Sequence, residues 1–146
     1  MRESADLTPE EFRAAIRQGE LVPAMRAGYE TFNERGFDMS IFHPEAEWHQ
    51  RAQLPDARTH RGREEIARMS EEFIGSFEDF RAEPLEIFET GGKVVAVVRV
   101  SGRVKGSEHR VAMEEVHVWS FLGGMASEVR EYLTKAEALH AVGLQE

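Results

Sequence analysis

Apolar positions recur every three or four residues in the first half of the chain and every second residue in much of the remainder. Val22, Met25, Tyr29 and Phe32 stand at helical spacing, as do Ile66, Met69, Phe73 and Ile74. The first set predicts a helix over 21–35, with Pro23 in its first turn, where a missing N–H is tolerated. Gly36 is its natural stop. The second set predicts a helix over 62–77. Thr8-Pro9-Glu10-Glu11 has the form of a capping box with Pro9 at the first helical position. It opens a short helix ending near Gly19. Asp38 can cap a short helix that ends before Pro44. Thr134-Lys135-Ala136-Glu137 is a second capping box, opening a last helix that stops near Gly143.

Residues 46–53 read as a strand that enters a long loop at Pro55. Residues 80–89, 93–104, 109–121 and 126–133 read as four long strands, with Gly91-Gly92 and Gly123-Gly124 as hairpin turns. Helices followed by a strand meander imply an α+β domain with helices packed on one face of an antiparallel sheet.

At 146 residues the chain has the size of one domain, and no repeat or linker divides it. Absence of cysteine excludes disulfides and thiolate zinc sites. A net charge of -9 repels phosphate backbones, so nucleic acid is not an expected partner. The longest strongly apolar run, Val94–Val98, is too short to span a bilayer. The opening MRESADL lacks the apolar run of a secretion signal, so a cytoplasmic, membrane-free protein is expected. Glu64-Glu65 and Glu71-Glu72 mark the wet face of a helix. His43, His49 and His109 form no ligand set with carboxylates at useful spacing, so no metal is expected.

Three phrases carry a family resemblance: FNERGFDMSIFHPEAEW (32–48), LPDARTHRGREEI (54–66) and HVWSFLGGMASEVREYL (117–133). In this order and spacing they resemble the SnoaL-like branch of the nuclear-transport-factor-two-like superfamily, over about residues 21 to 142. The resemblance implies a cone, the cystatin-like α+β barrel: a curved antiparallel sheet wrapped around N-terminal helices, with a pocket between them. Residues 1–20 are then an added helix on a single 1–146 domain. Relatives include polyketide cyclases, ketosteroid isomerases, limonene-epoxide hydrolase and non-catalytic binders, so the fold alone names no reaction.

Alternation sets Arg99 and Ser101 on one face of their strand with Val95 and Val97, and Glu115, His117 and Trp119 on one face of the next. The resemblance points both faces inward, together with Trp48, Gln50, Glu131 and Leu133. A catalytic set of Arg99, Glu115, His117 and Glu131 follows, with Trp48, Gln50, Ser101, Trp119, Leu133, Tyr29 and His60 as ligand-binding candidates. Arg99 would pair with Glu115, Glu131 or both, because a lone buried charge is costly. Two carboxylates beside one Arg would favour a protonated His117. The structural alternatives are an ion pair that ties strands together for Arg99 and Glu131, a satisfied interior imidazole for His117, and plain wall for the tryptophans.

Ketosteroid isomerase chemistry is rejected at this level, because Gln50 and Gly28 fall where its base and its Tyr are expected. Limonene-epoxide hydrolase fits better: Arg99 matches its Arg and Glu131 its water-activating acid, while Ser101 replaces its proton donor. The leading expectation is a small-molecule-binding protein, with cofactor-independent isomerase, cyclase or hydrolase activity on a partly apolar organic substrate. An epoxide hydrolase and a non-catalytic binding or assembly module are the alternatives. The opposite sheet face, with Glu114, Val116, Val118 and Tyr132, is the expected homodimer surface, since the resemblance implies dimerisation through this sheet.

Overall fold

The computed structural model describes residues 7–36 and 38–144. The stretch 1–6, from which most of the localisation reading came, lies outside them, as does Phe37 of the first family phrase. The elements run α1 (Pro9–Arg17), α2 (Leu21–Arg35), a 3-10 turn (Met39–Ile41), β1 (Phe42–His49), β2 (Thr59–Arg61), α3 (Arg63–Ile74), β3 (Phe77–Thr90), β4 (Lys93–Val104), β5 (Arg110–Leu122), β6 (Met125–Tyr132) and α4 (Lys135–Ala141). Both capping boxes form: Thr8 with Glu11, and Thr134 with Glu137. Strand β1 begins earlier than its composition suggests. Pro44 is tolerated because the β1–β6 ladder is interrupted between Phe42 and Glu47. Strand β2, only three residues long, carries too little pattern to be seen in the sequence.

The six strands form one curved, unclosed sheet in the order β2-β1-β6-β5-β4-β3. All neighbours are antiparallel except β1 and β6, which run parallel. Gly91-Gly92 and Gly123-Gly124 close the two tight hairpins with positive φ at every turn position, as type I′ turns require. The main core lies between the concave face and the helices. Met25, Tyr29 and Phe32 of α2 and Ile66 of α3 meet Trp48, Ala96, Val98, Trp119 and Val129 of the sheet.

The convex face is not bare. Val95, Val97, Val116 and Val118 are buried there beneath Ala138 of α4, with Phe88, Tyr132 and Val142 at the edge. Lys135 fixes that helix by bonding Glu86 at 2.8 Å. This corrects the expected dimer surface: Val116 and Val118 are covered by the chain itself. No helix among the described residues is long and apolar enough to cross a membrane.

Helix α1 docks on the β5–β6 hairpin. A Cβ on Gly124 would lie 2.9 Å from the Arg13 carbonyl oxygen, at φ +80°. Gly124→Ala therefore combines left-handed strain with a backbone clash, and should destabilise the protein by about 2 kcal/mol or more. A urea midpoint equal to that of the wild type would show that α1 does not depend on this contact.

Candidate functional site

Strand pairing decides which side chains meet. In β5 and β6, His117 pairs with Glu131 and Trp119 with Val129, so His117 and Glu131 share the concave face. Strand β1 lies beside β6 with Trp48 opposite Val129. Helix α2 crosses this face and presents Tyr29. The result is an open-mouthed cavity of about 820 Å³, mouth included. Its floor is Tyr29, Trp48, Glu115, His117, Trp119 and Glu131. Its walls include Leu54, Met69, Phe73, Ile74 and Phe80, and Gln50 and Arg51 also line it. A concave apolar site with a few converging polar groups is the usual form of a small-molecule pocket.

The polar floor holds two hydrogen-bonded groups side by side. Tyr29 Oη lies 2.8 Å from His117 Nδ1. Trp119 Nε1 donates to the same hydroxyl at 3.0 Å. His117 Nε2 lies 3.2 Å from Glu115 Oε2. Glu131 stands beside them, accepting from Trp48 Nε1 at 2.6 Å and from the Arg51 amide at 3.2 Å. The rings of Tyr29 and His117 stack at 6.1 Å, and both indoles meet the imidazole edge-on.

These environments drive the two carboxyls apart. Burial raises the Glu115 pKa, but the His117 hydrogen bond and charge, with Arg51 behind them, outweigh it and hold Glu115 below its ordinary value. Burial also opposes a charge on His117, yet the bond to Glu115 and the charges of Glu115 and Glu131 hold the imidazole above its ordinary value. Glu131 goes the other way. Burial and the charge of Glu115 raise it, and His117, Trp48 and the Arg51 amide offset this only in part. Burial pushes Tyr29 far up, so it remains a phenol.

Protonation of His117 decides what Tyr29 does. A neutral imidazole that donates from Nε2 to Glu115 leaves Nδ1 to accept the Tyr29 O–H. A cationic imidazole donates from both nitrogens. Tyr29 oxygen then accepts from His117 and Trp119, and its own O–H is free to donate to a ligand oxygen.

Several expected site residues lie elsewhere. Arg99 is exposed on the convex face, opposite Glu83 and Glu114. Ser101 shares that face, opposite Arg81 and Ala112. The concave positions of β4 are Val94, Ala96, Val98 and Val100, which pair with Trp119, His117, Glu115 and Met113. The epoxide-hydrolase reading thus loses its Arg. Leu133 lies past the end of β6, 40% exposed and off the cavity. His60 is buried on β2, paired with Trp48, and does not line the cavity. Burial and then Arg58 lower its pKa, and Nε2 has no partner. Tyr29, placed one residue from the position compared with the ketosteroid isomerase Tyr, does reach the cavity.

Arg51 is the charged lining residue the sequence did not disclose. Strand β1 stops at His49, so alternation no longer applies and both Gln50 and Arg51 line the cavity. Two sets of described residues could hold a metal ion, their ligand atoms lying within 4.8 Å of one another. One is Glu115, His117 and Glu131. The other is Glu47, His49 and Glu128 on the convex face, where the β1–β6 pairing brings Glu128 beside Glu47 and His49 of one strand. There Arg61 and Arg130 already bind the two carboxylates.

The fold has many solved counterparts. Bal32a, from a soil-derived mobile gene cassette, is 24% identical with a TM-score of 0.66, covering 92% of this chain and 98% of its own. TerC, co-crystallised with polyporic acid, is 20% identical with a TM-score of 0.62, covering 92% and 98%. A ketosteroid isomerase-like protein from Catenulispora acidiphila, in complex with trimethylamine, is 16% identical with a TM-score of 0.62, covering 80% and 90%. At such identities the likeness establishes the fold alone. A comparison with curated proteins returns no match. The SnoaL-like domain profile matches residues 25–129, which holds most of α2, the whole floor except Glu131, and most of the sheet; the chain belongs to the SnoaL-like domain family.

Proposed function

We propose that this protein is a cofactor-independent proton-transfer catalyst, an isomerase or cyclase acting on a small, partly apolar carbonyl compound. One observation carries the reading. Two carboxyls beside one imidazole, in an aromatic cavity, have their proton affinities pushed in opposite directions. That is how a fold separates acid and base roles near neutral pH. Polyporic acid, co-crystallised with TerC, is a precedent for a small organic ligand in this fold.

In this reading Glu131 is the general base, a carboxyl held above its ordinary value being the stronger proton acceptor of the two. Its carboxylate takes a proton from the carbon beside the substrate carbonyl. The C–H electrons form the enolate, and the Tyr29 O–H donates to the developing oxyanion. The Glu115–His117 pair keeps the imidazole cationic and the Tyr29 proton available. Return of the proton to another carbon isomerises the substrate; attack by the enolate carbon on an internal carbonyl opens its C=O π bond and closes the ring, and the new alkoxide takes the proton that Glu131 holds.

The test is exchange of the α-protons of 2-tetralone in deuterated buffer, followed by proton NMR. Acceleration by the wild type is expected, with loss in Tyr29→Phe of about 10²-fold, the scale of one oxyanion donor. Binding without acceleration would mark a non-catalytic binder and end the enzymatic reading.

A further inference from the structure

We propose that Arg51 is an anion anchor, and that the molecule this cavity takes carries a carboxylate group. The inference rests on the reading above that the cavity receives a small carbonyl compound, and it adds the charge of that compound.

Arg51 is the only Arg or Lys among the described residues lining the cavity. Its backbone is fixed, since its amide donates to Glu131 Oε1 at 3.2 Å. Its guanidinium is not. Nε is buried and has no hydrogen-bond partner. On the same edge, Nη2 meets only the thioether sulfur of Met113, at 4.0 Å. A sulfur is a weak acceptor. The Nε and Nη2 hydrogens form the edge of an Arg that grips a carboxylate with two parallel bonds. A buried donor of a charged group left without an acceptor is costly, so this edge is built for an oxygen that the protein does not supply.

The neighbours do not supply it. Glu115 is bound to His117, and Glu131 to Trp48 and the Arg51 amide. No carboxylate among the described residues lies within ion-pair distance of the Arg51 guanidinium. Gln50 adds donors beside it, because its carbonyl is taken by the Arg58 amide at 3.3 Å and its NH2 group remains. The aromatic wall of Phe73 and Phe80 would hold the ring of an aryl or alicyclic acid whose carboxylate meets Arg51.

The probes are 1-naphthoate and its neutral counterpart 1-naphthamide, with binding read from quenching of Trp48 and Trp119 fluorescence. The wild type should prefer the anion by about 10- to 100-fold, the worth of a charged hydrogen-bonded contact. Arg51→Gln should weaken naphthoate alone and erase the preference, Arg51→Met should do the same, and Arg51→Lys should keep part of it. Equal affinity for both probes in the wild type, binding of neither, or a preference that survives both neutral replacements overturns the assignment. No turnover enters this readout. Charge preference without proton exchange would sink the catalytic reading and leave the anchor standing, and the reverse result would do the opposite.

Discussion

Glu131→Gln is expected to slow α-proton exchange by about 10²–10⁴-fold, the usual worth of a positioned general base, while ligand affinity changes by only a few-fold. An amide cannot take a proton near neutral pH. It also cannot replace both acceptor roles. Glu131 receives Trp48 Nε1 on one oxygen and the Arg51 amide on the other. A protonated carboxyl can still accept at both oxygens and turn its O–H to the cavity, whereas a Gln offers one oxygen and one NH2. One N–H is left facing a donor, at a cost of about 1–3 kcal/mol in stability. Glu131→Asp should retain the chemistry in part.

The pH profile gives the sharper check. The Glu131 pKa is raised from its ordinary 4.5, so the rate should climb through a limb that lies above that value. The His117 pKa is raised from its ordinary 6.5, so the rate should fall through a second limb above 6.5, as Tyr29 turns its proton back to Nδ1. The limbs report the coupled cluster rather than single residues. A rising limb that persists unchanged in Glu131→Gln would assign the base to another group.

The elements were largely legible because their signals are local. Capping boxes, glycine turns and helical spacing depend on residues a few positions apart, and the structure keeps β4 at 93–104 and α2 at 21–35 as the pattern predicts. The inner face of β4 was not legible. Alternation marks a face only where one side is wet, and Val94 to Val98 is apolar on both sides because α4 covers the convex valines. Only the resemblance points Arg99 inward. The β4–β5 register pairs Ala96 with His117, which puts the odd-numbered positions of β4 on the convex face. The register depends on the loop between these strands, where Gly106 marks a turn but does not fix the length of a five-residue connection. Glu115, His117 and Glu131 rest on the same resemblance, and there the inward face agrees with the structure, because the β5–β6 register pairs His117 with Glu131 on the concave side. Arg51 escaped for the reason given by its position: it lies just beyond a strand end, where no periodicity constrains it.

His117→Leu should have the largest effect on stability, about 3–5 kcal/mol, because it keeps the volume but leaves the Glu115 carboxylate buried without its partner. Tyr29 loses the same partner. The sign of the pH dependence follows from the shifts. In the wild type Glu115 is held below 4.5, so its contribution is present above that pH and fades as pH falls through its lowered value. His117 is held above 6.5, so its contribution is complete below that pH and fades as pH rises through its raised value. In the variant, burial acts on Glu115 against the Arg51 charge alone and raises its pKa, so stability drops as pH climbs above 4.5. The gap between the two proteins should open as pH rises through the lowered Glu115 value, widen further above 4.5 and be largest near 6.5, read from urea midpoints at constant m-value. The double variant His117→Leu/Glu115→Leu should recover much of the loss, since a buried ion pair replaced whole by apolar side chains is often close to neutral. A gap that stays flat with pH, or a double variant no more stable than the single one, would mean that the cluster is held by packing and that the imidazole carries no charge.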